Sequence, residues 1–287
     1  MKTTHTILDE IMVDVRRAVA DARARRPLAE LARMCADAPP VRSFAGALRG
    51  GFGLIAEIKE RSPSQGPMRQ ANVAEASAAY EASPIVRCLS VLTNASHFGM
   101  SIERLLDAKS AGSKPVLRKD FLFDEYQVHE ARAFGADAVL LMANLLGAEE
   151  LARLHALTTS LGMDVLFECH DAEQIRALPQ GAVLYGINSR SFAVRGADYA
   201  AARAERAAGS RKDLTTDLGR FDELAGELPP HAIKIAESGV YPENAARIRD
   251  ELGYHAILVG TSLLTSPAGV HAELAKFERA LATPSHD

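Results

Sequence analysis

A (β/α)8 barrel is the fold this sequence predicts. Eight short apolar runs recur along 287 residues, helix-like segments separate them, and nearly every run ends in ionisable or hydrogen-bonding side chains. Near-continuous apolar strands alternating with helices require parallel pairing with both faces covered. Eight such units fit the usual barrel length of about 250 residues. A doubly wound sheet would show a glycine-rich dinucleotide fingerprint after its first strand; the sequence there reads EIKERSPSQG and has none.

Residues 1–48 precede the first strand, and the helical periodicity of ILDEIMVDVRRAVADARARRPLAELARMCADA predicts a helical extension that closes the barrel's end or overlies its mouth. The barrel is expected over residues 49–287, with strands at 53–59, 86–93, 115–121, 136–143, 163–170, 183–189, 233–239 and 255–261. Between them, NVAEASAAYEA reads as a helix from Asn72, and SIERLLDAKSAG as one with Ser101 at its N-cap. DEYQVHEARAFG and YPENAARIRDELG end on Gly135 and Gly253, which fit helix C-caps. The longest interval between strands holds residues 193–212, AVRGADYAAARAERAAGSRK, expected to be an inserted helix and turn ahead of the barrel helix in LTTDLGRFDELAGEL. Its Arg195, Arg203, Arg206 and Arg211 form either a solvated face or a patch that steers anions.

Composition narrows the function. The formal net charge of -4 argues against nucleic acid as a main partner. No apolar run approaches the roughly 20 residues that span a bilayer, and MKTTHTILDEIMVDVRR has acids where a signal peptide would be apolar, so no membrane association and a cytoplasmic location are expected. Cys35, Cys88 and Cys169 are widely spaced and odd in number, which suits buried thiols better than a disulfide framework or a zinc site. No metal is expected.

In this fold chemistry sits at the C-terminal ends of the strands. Those ends carry Glu57 and Lys59, Thr93 and Asn94, Lys119 and Asp120, Glu168 and His170, Asn188 and Arg190, Glu237 and Ser238, and Thr261 and Ser262; the fourth strand alone ends apolar. A single strand-end charge is usually just solvated. Seven ends converging on one rim describe a site where an anionic small molecule undergoes proton transfer. Ser238-Gly239 and Gly260-Thr261-Ser262 follow the last two strands, the usual phosphate position, and offer unobstructed backbone N–H groups, with Ser62 able to join from the first loop. A Gly-Thr-Ser before a helix is equally consistent with a simple cap.

These residues resemble the indole-3-glycerol phosphate synthase family. The resemblance runs from about Ile7 to about Pro267 and is carried by ILDEI, LIAEIKERSPSQG, LSVLTNASHFGMS, PVLRKDFLFDEYQVHEARAFGADAVLLM, LFECHDAEQI, GINSR, AESGV and ILVGTSLL. It implies a barrel with an N-terminal helical extension, no metal or cofactor, and conversion of 1-(2-carboxyphenylamino)-1-deoxyribulose 5-phosphate to indole-3-glycerol phosphate with loss of CO2 and water. It further implies Lys119 as the acid of ring closure, Glu168 as the base of dehydration, and Lys59, held by Glu57, as a second acid and electrostatic clamp. Asn188 and Arg190 would orient the carboxylate and sugar hydroxyls, Glu237 and Ser238 would bind substrate polar groups, and Phe98, Phe121 and Leu140 would form an apolar wall. Ser62, Gly239, Gly260 and Thr261 would bind phosphate. Asp120 and His170 are expected to be structural.

Asn94, Met100, Ser189 and Ser191 depart from the family's pattern, as does the insertion. They leave two alternatives open: a paralogous enzyme closing a ring on a modified anthranilate adduct, with Phe98, Met100 and Phe192 setting the wall volume, or a non-catalytic phosphate-binding barrel.

Overall fold

A computed structural model describes residues 7–190 and 216–282, so the predicted insertion at 193–212 lies outside the described residues. Eight strands close into a barrel: β1 Gly53–Ile58, β2 Val86–Leu92, β3 Val116–Lys119, β4 Ala138–Met142, β5 Asp164–Cys169, β6 Leu184–Asn188, β7 Ile233–Glu237 and β8 Ala256–Val259. Each pairs in parallel with the next, and β8 closes on β1 through Gly53 opposite Ala256 and Ala56 opposite Val259. Every predicted run yields a strand. The third is shorter than expected, because Asp120 Oδ1 accepts the Phe121 N–H at 2.9 Å and draws the chain out of the sheet.

The period-two alternation of strands divides the core in two. Ile55, Cys88, Leu117, Ala138, Leu140, Leu166, Leu184, Ile233, Ile235 and Leu258 fill the barrel interior, while Leu54, Ala56, Val91, Val116, Val139, Phe167 and Ile257 face the surrounding helices. Arg118 obeys the same alternation. It points outward behind β3, donating to Thr93 Oγ1 and the Gln127 carbonyl and pairing with Asp120 and Glu130, while Lys119 next to it faces the interior.

The N-terminal segment forms α1 Ile7–Arg25, α2 Leu28–Asp37 and α3 Phe44–Arg49, and it meets both ends of the barrel. Helix α3 plugs the end where strands begin: Ser43 caps it, Phe44 is fully buried, and Ala45 N–H donates to Asp164 at the start of β5. Helix α1 lies over the opposite end. Its Ile7 and Ile11 reach the central cleft, and Arg16 and Arg23 stack on Phe123 and Tyr126 at 4.6 and 5.4 Å.

Helix boundaries differ from expectation at Ser101. The helix there is Glu103–Ser110; the Ser101 carbonyl accepts Arg104 N–H in a tight leading turn, and the Ser101 hydroxyl donates to the Glu103 carboxylate instead of capping the backbone. Gly135 and Gly253 do end their helices in the left-handed region, at φ 83° and 66°.

Candidate active site

The C-terminal ends of the strands surround a cleft with about 1170 Å³ of empty space, its solvent-open mouth included. The site residues proposed from sequence all line it. Glu57 lies in β1 and Lys59 just beyond it; Lys119 ends β3, Leu140 sits in β4, Glu168 in β5, and Asn188 and Glu237 end β6 and β7. Arg190, Ser238, Gly239, Gly260 and Thr261 follow from the late loops, and Ser62 from the first. Phe98 and Phe121 form one wall with ring centroids 6.3 Å apart.

Two ion-pair systems occupy the floor. Lys59 Nζ donates to Glu57 Oε1 at 2.5 Å with both side chains buried. Lys119 Nζ stands 3.6 Å from Glu168 Oε2 and 3.8 Å from Glu237 Oε2. Burial disfavours the charge of either lysine, yet the outcomes are opposite. Glu168, Glu237 and Glu57 overcome it at Lys119, whose pKa is raised, whereas Lys59 has only Glu57 against the repulsion of Arg190 and Lys119 and is lowered. Burial would raise Glu57, but Lys59 and Lys119 hold it below the usual carboxylate range. Glu237 is pushed well above that range by burial and then by Glu168.

Glycine makes two of these placements possible. A Cβ on Gly186, in β6 between the two carboxylate-bearing strands, would lie 2.1 Å from Glu237 Oε1, so that carboxyl needs a bare backbone beneath it. A Cβ on Gly260 would lie 2.5 Å from Glu57 Oε1.

The late loops form a second, separate polar region. Ser238 and Gly239 are both left-handed at φ 67°, and Ser189 Oγ donates to the Ser238 carbonyl at 2.8 Å to brace the turn. A left-handed serine is uncommon and places backbone N–H groups where an extended strand would not. Ser62 Oγ accepts Gln65 N–H at 3.2 Å, and the buried Ser262 Oγ has no hydrogen-bond partner among the described residues. This region suits an anion.

Several strand-end residues do not face the cleft. Thr93 is occupied with Asp120 at 2.5 Å, and Asn94 Oδ1 caps the turn at His97 N–H. Asp120 borders the cleft but its oxygens serve Thr93, Arg118 and the Phe121 N–H, in keeping with a structural role. Met100 is buried among side chains of the outer core and not in the wall beside Phe98, so it does not set the cleft's volume. His170 is closer to the chemistry than expected, its Nε2 3.7 Å from Glu168 Oε1. Ser191 and Phe192 lie outside the described residues.

Sequence reasoning missed Ile7, Ile11, Ser64, Gln65, Met142 and Tyr241, which also line the cleft. Those six carried no signal; Gly186, which makes room for Glu237 beneath the cleft, did, as a lone glycine inside an apolar strand. Among the described residues, no three His, Cys, Asp or Glu side chains are grouped so as to hold a metal ion, and no helix is long and apolar enough to cross a membrane.

Comparison with known proteins agrees with this geometry. The family model described as indole-3-glycerol phosphate synthase matches residues 8–195 and 210–276. An indole-3-glycerol phosphate synthase of Rhodococcus opacus (strain B4) is 40% identical over 264 residues, covering 91% of each chain. That of Verminephrobacter eiseniae (strain EF01-2) is 38% identical over 270 residues, 90% of this chain and 94% of its own. Among solved structures, 3-hexulose-6-phosphate synthase from Salmonella typhimurium superposes with a TM-score of 0.56 at 16% identity, over 80% of this chain and 98% of that one, a likeness of fold alone. With a family model spanning most of its length and relatives this similar over nine-tenths of it, the chain belongs to the indole-3-glycerol phosphate synthase family.

Proposed function

We propose that the chain is a carboxy-lyase of tryptophan biosynthesis, closing the indole ring of 1-(2-carboxyphenylamino)-1-deoxyribulose 5-phosphate with loss of CO2 and water. The observation that carries this reading is the half-buried Lys119 ammonium facing the buried Glu168 at 3.6 Å across a cleft that has an aromatic wall on one side and an anion-suited loop pair on the other.

Ring closure drives the carboxylate-bearing aromatic carbon onto the ribulose ketone and leaves an alkoxide. Lys119 donates the proton that quenches it. Its raised pKa is no obstacle, because an alkoxide is far more basic than an amine, and a fixed ammonium stabilises the developing charge before transfer. Departure of CO2 restores aromaticity, and dehydration then needs a base for the ring C–H, the role assigned to Glu168. Lys59, clamped by Glu57, supplies a second positive charge near the anionic substrate. Arg190 and Asn188 orient the carboxylate and hydroxyls; Phe98, Phe121 and Leu140 pack on the aromatic ring. Ser62, Gly239, Gly260 and Thr261 hold the phosphate, with Ser238 and Glu237 on neighbouring hydroxyls.

Variants at the two central groups test this. General acid–base groups contribute about 10²- to 10⁴-fold, so Lys119→Ala and Glu168→Gln should each lose at least that much in kcat while still binding a reduced substrate analogue. Near-normal turnover in either would remove the assignment.

A further inference from the structure

The floor of the cleft holds two carboxyls against one ammonium. Glu57 has its own lysine, at 2.5 Å, but Glu168 and Glu237 share Lys119, and both are almost completely buried. None of their four oxygens accepts a hydrogen bond from another described group. Two buried anions facing a single cation are not both stable as charges, and one proton between them removes the conflict. The fold keeps them together: Glu168 is in register with Gly186, and the missing side chain at Gly186 leaves room for the Glu237 carboxyl to lean over that same backbone. Burial and the neighbouring Glu168 both favour the proton on Glu237.

We infer that Glu168 and Glu237 act as a one-proton dyad in the dehydration step, Glu168 as its base and Glu237 as its acid. The inference rests on the reaction proposed above. In the 3-hydroxyindoline left after CO2 departs, the C–H bond beside nitrogen breaks, its proton goes to Glu168, and its electron pair becomes the new carbon–carbon double bond. The neighbouring C–O bond breaks with its pair going to oxygen, which takes the proton of Glu237 and leaves as water. The pair holds one proton before the step and one after it. Transfer from Glu168 back to Glu237 resets the site, and the single proton that decarboxylation consumes overall is restored from solvent at Lys119. Lys59 is left as the clamp its tight pairing with Glu57 describes. The other ionisable groups facing the pair are Lys119 from β3, Glu57 from β1 and, against Glu168, His170.

Single turnovers with carboxyl-labelled ribulotide, following CO2 and indole fluorescence together, test the dyad. In the wild-type protein the two should rise in a fixed ratio; absence of indole there would reject the reaction itself and not the dyad. Glu237→Gln keeps the shape and cannot surrender a proton, so it should release CO2 while indole formation lags by about 10²-fold or more. Glu237→Ala should behave likewise, and added formate should raise the ratio of indole formed to CO2 released. Given indole from the wild type, indole formation falling no further than CO2 release in Glu237→Gln, or an indole-to-CO2 ratio that formate does not raise in Glu237→Ala, would each overturn the assignment.

Discussion

Lys59 and Lys119 carry the same functional group in one cleft, and their neighbours divide them. Lys119 is surrounded by carboxylates and stays an ammonium; Lys59 has one carboxylate and two repelling cations, and its pKa falls below the ordinary 10.5. A lowered lysine loses its proton earlier as pH rises, so the alkaline limb of kcat/KM should fall below the usual lysine range. Lys59→Arg keeps the charge at all working pH values, and whatever activity it retains should show that limb displaced upward. An unmoved limb would mean that another group sets it. At this scale the sequence was informative, since charged residues ending apolar strands have few bland explanations when they converge. What it could not show was direction: Thr93, Asn94 and Met100 sit beside the site in sequence, but hydrogen bonding and outer-core packing turn them from it.

Among the elements, the loops after β7 and β8 and helix α1 frame the cleft from opposite sides. The loops lie apart from the bonds that change, so their contacts are similar in ground and transition states and should act through binding. Replacing Gly239 by valine places a Cβ within 2.7 Å of Leu218 and Thr216 and disturbs a turn at φ 67°. KM should rise more than kcat falls. Ser262→Ala, which removes an oxygen with no other hydrogen-bond partner among the described residues, should do the same without strain. A fall in kcat at constant KM in both variants would place the phosphate elsewhere. Helix α1 was legible as a helix but not as a cover, because apolar residues at helical spacing look alike whether they face a core or a ligand. The cleft-facing Ile7 and Ile11 are distinguished from the rest of their stripe only by the fold.

Taken whole, the barrel separates chemistry at one end from stability at the other, as the fold usually does. The lower end holds its own buried ion pair, Lys109 Nζ donating to Asp137 Oδ1 at 2.5 Å, and Asp137 also accepts the N–H groups of Arg42 and Val116. Removing one partner of a buried pair strands the other, at a cost of about 3–5 kcal/mol. Asp137→Ala should therefore unfold at lower denaturant by that amount while the folded fraction keeps the wild-type kcat. A matching loss of kcat would show that the two ends are coupled. The barrel itself was readable from eight apolar runs because parallel strands are buried on both faces; the salt bridge beneath it was not, since Lys109 and Asp137 meet only once the barrel closes. The central claim is the reaction, and turnover tests it most directly: purified protein given 1-(2-carboxyphenylamino)-1-deoxyribulose 5-phosphate should release CO2 and form indole-3-glycerol phosphate in a one-to-one ratio. Bound but unconverted ribulotide, or conversion only of an anthranilate-substituted analogue, would contradict it.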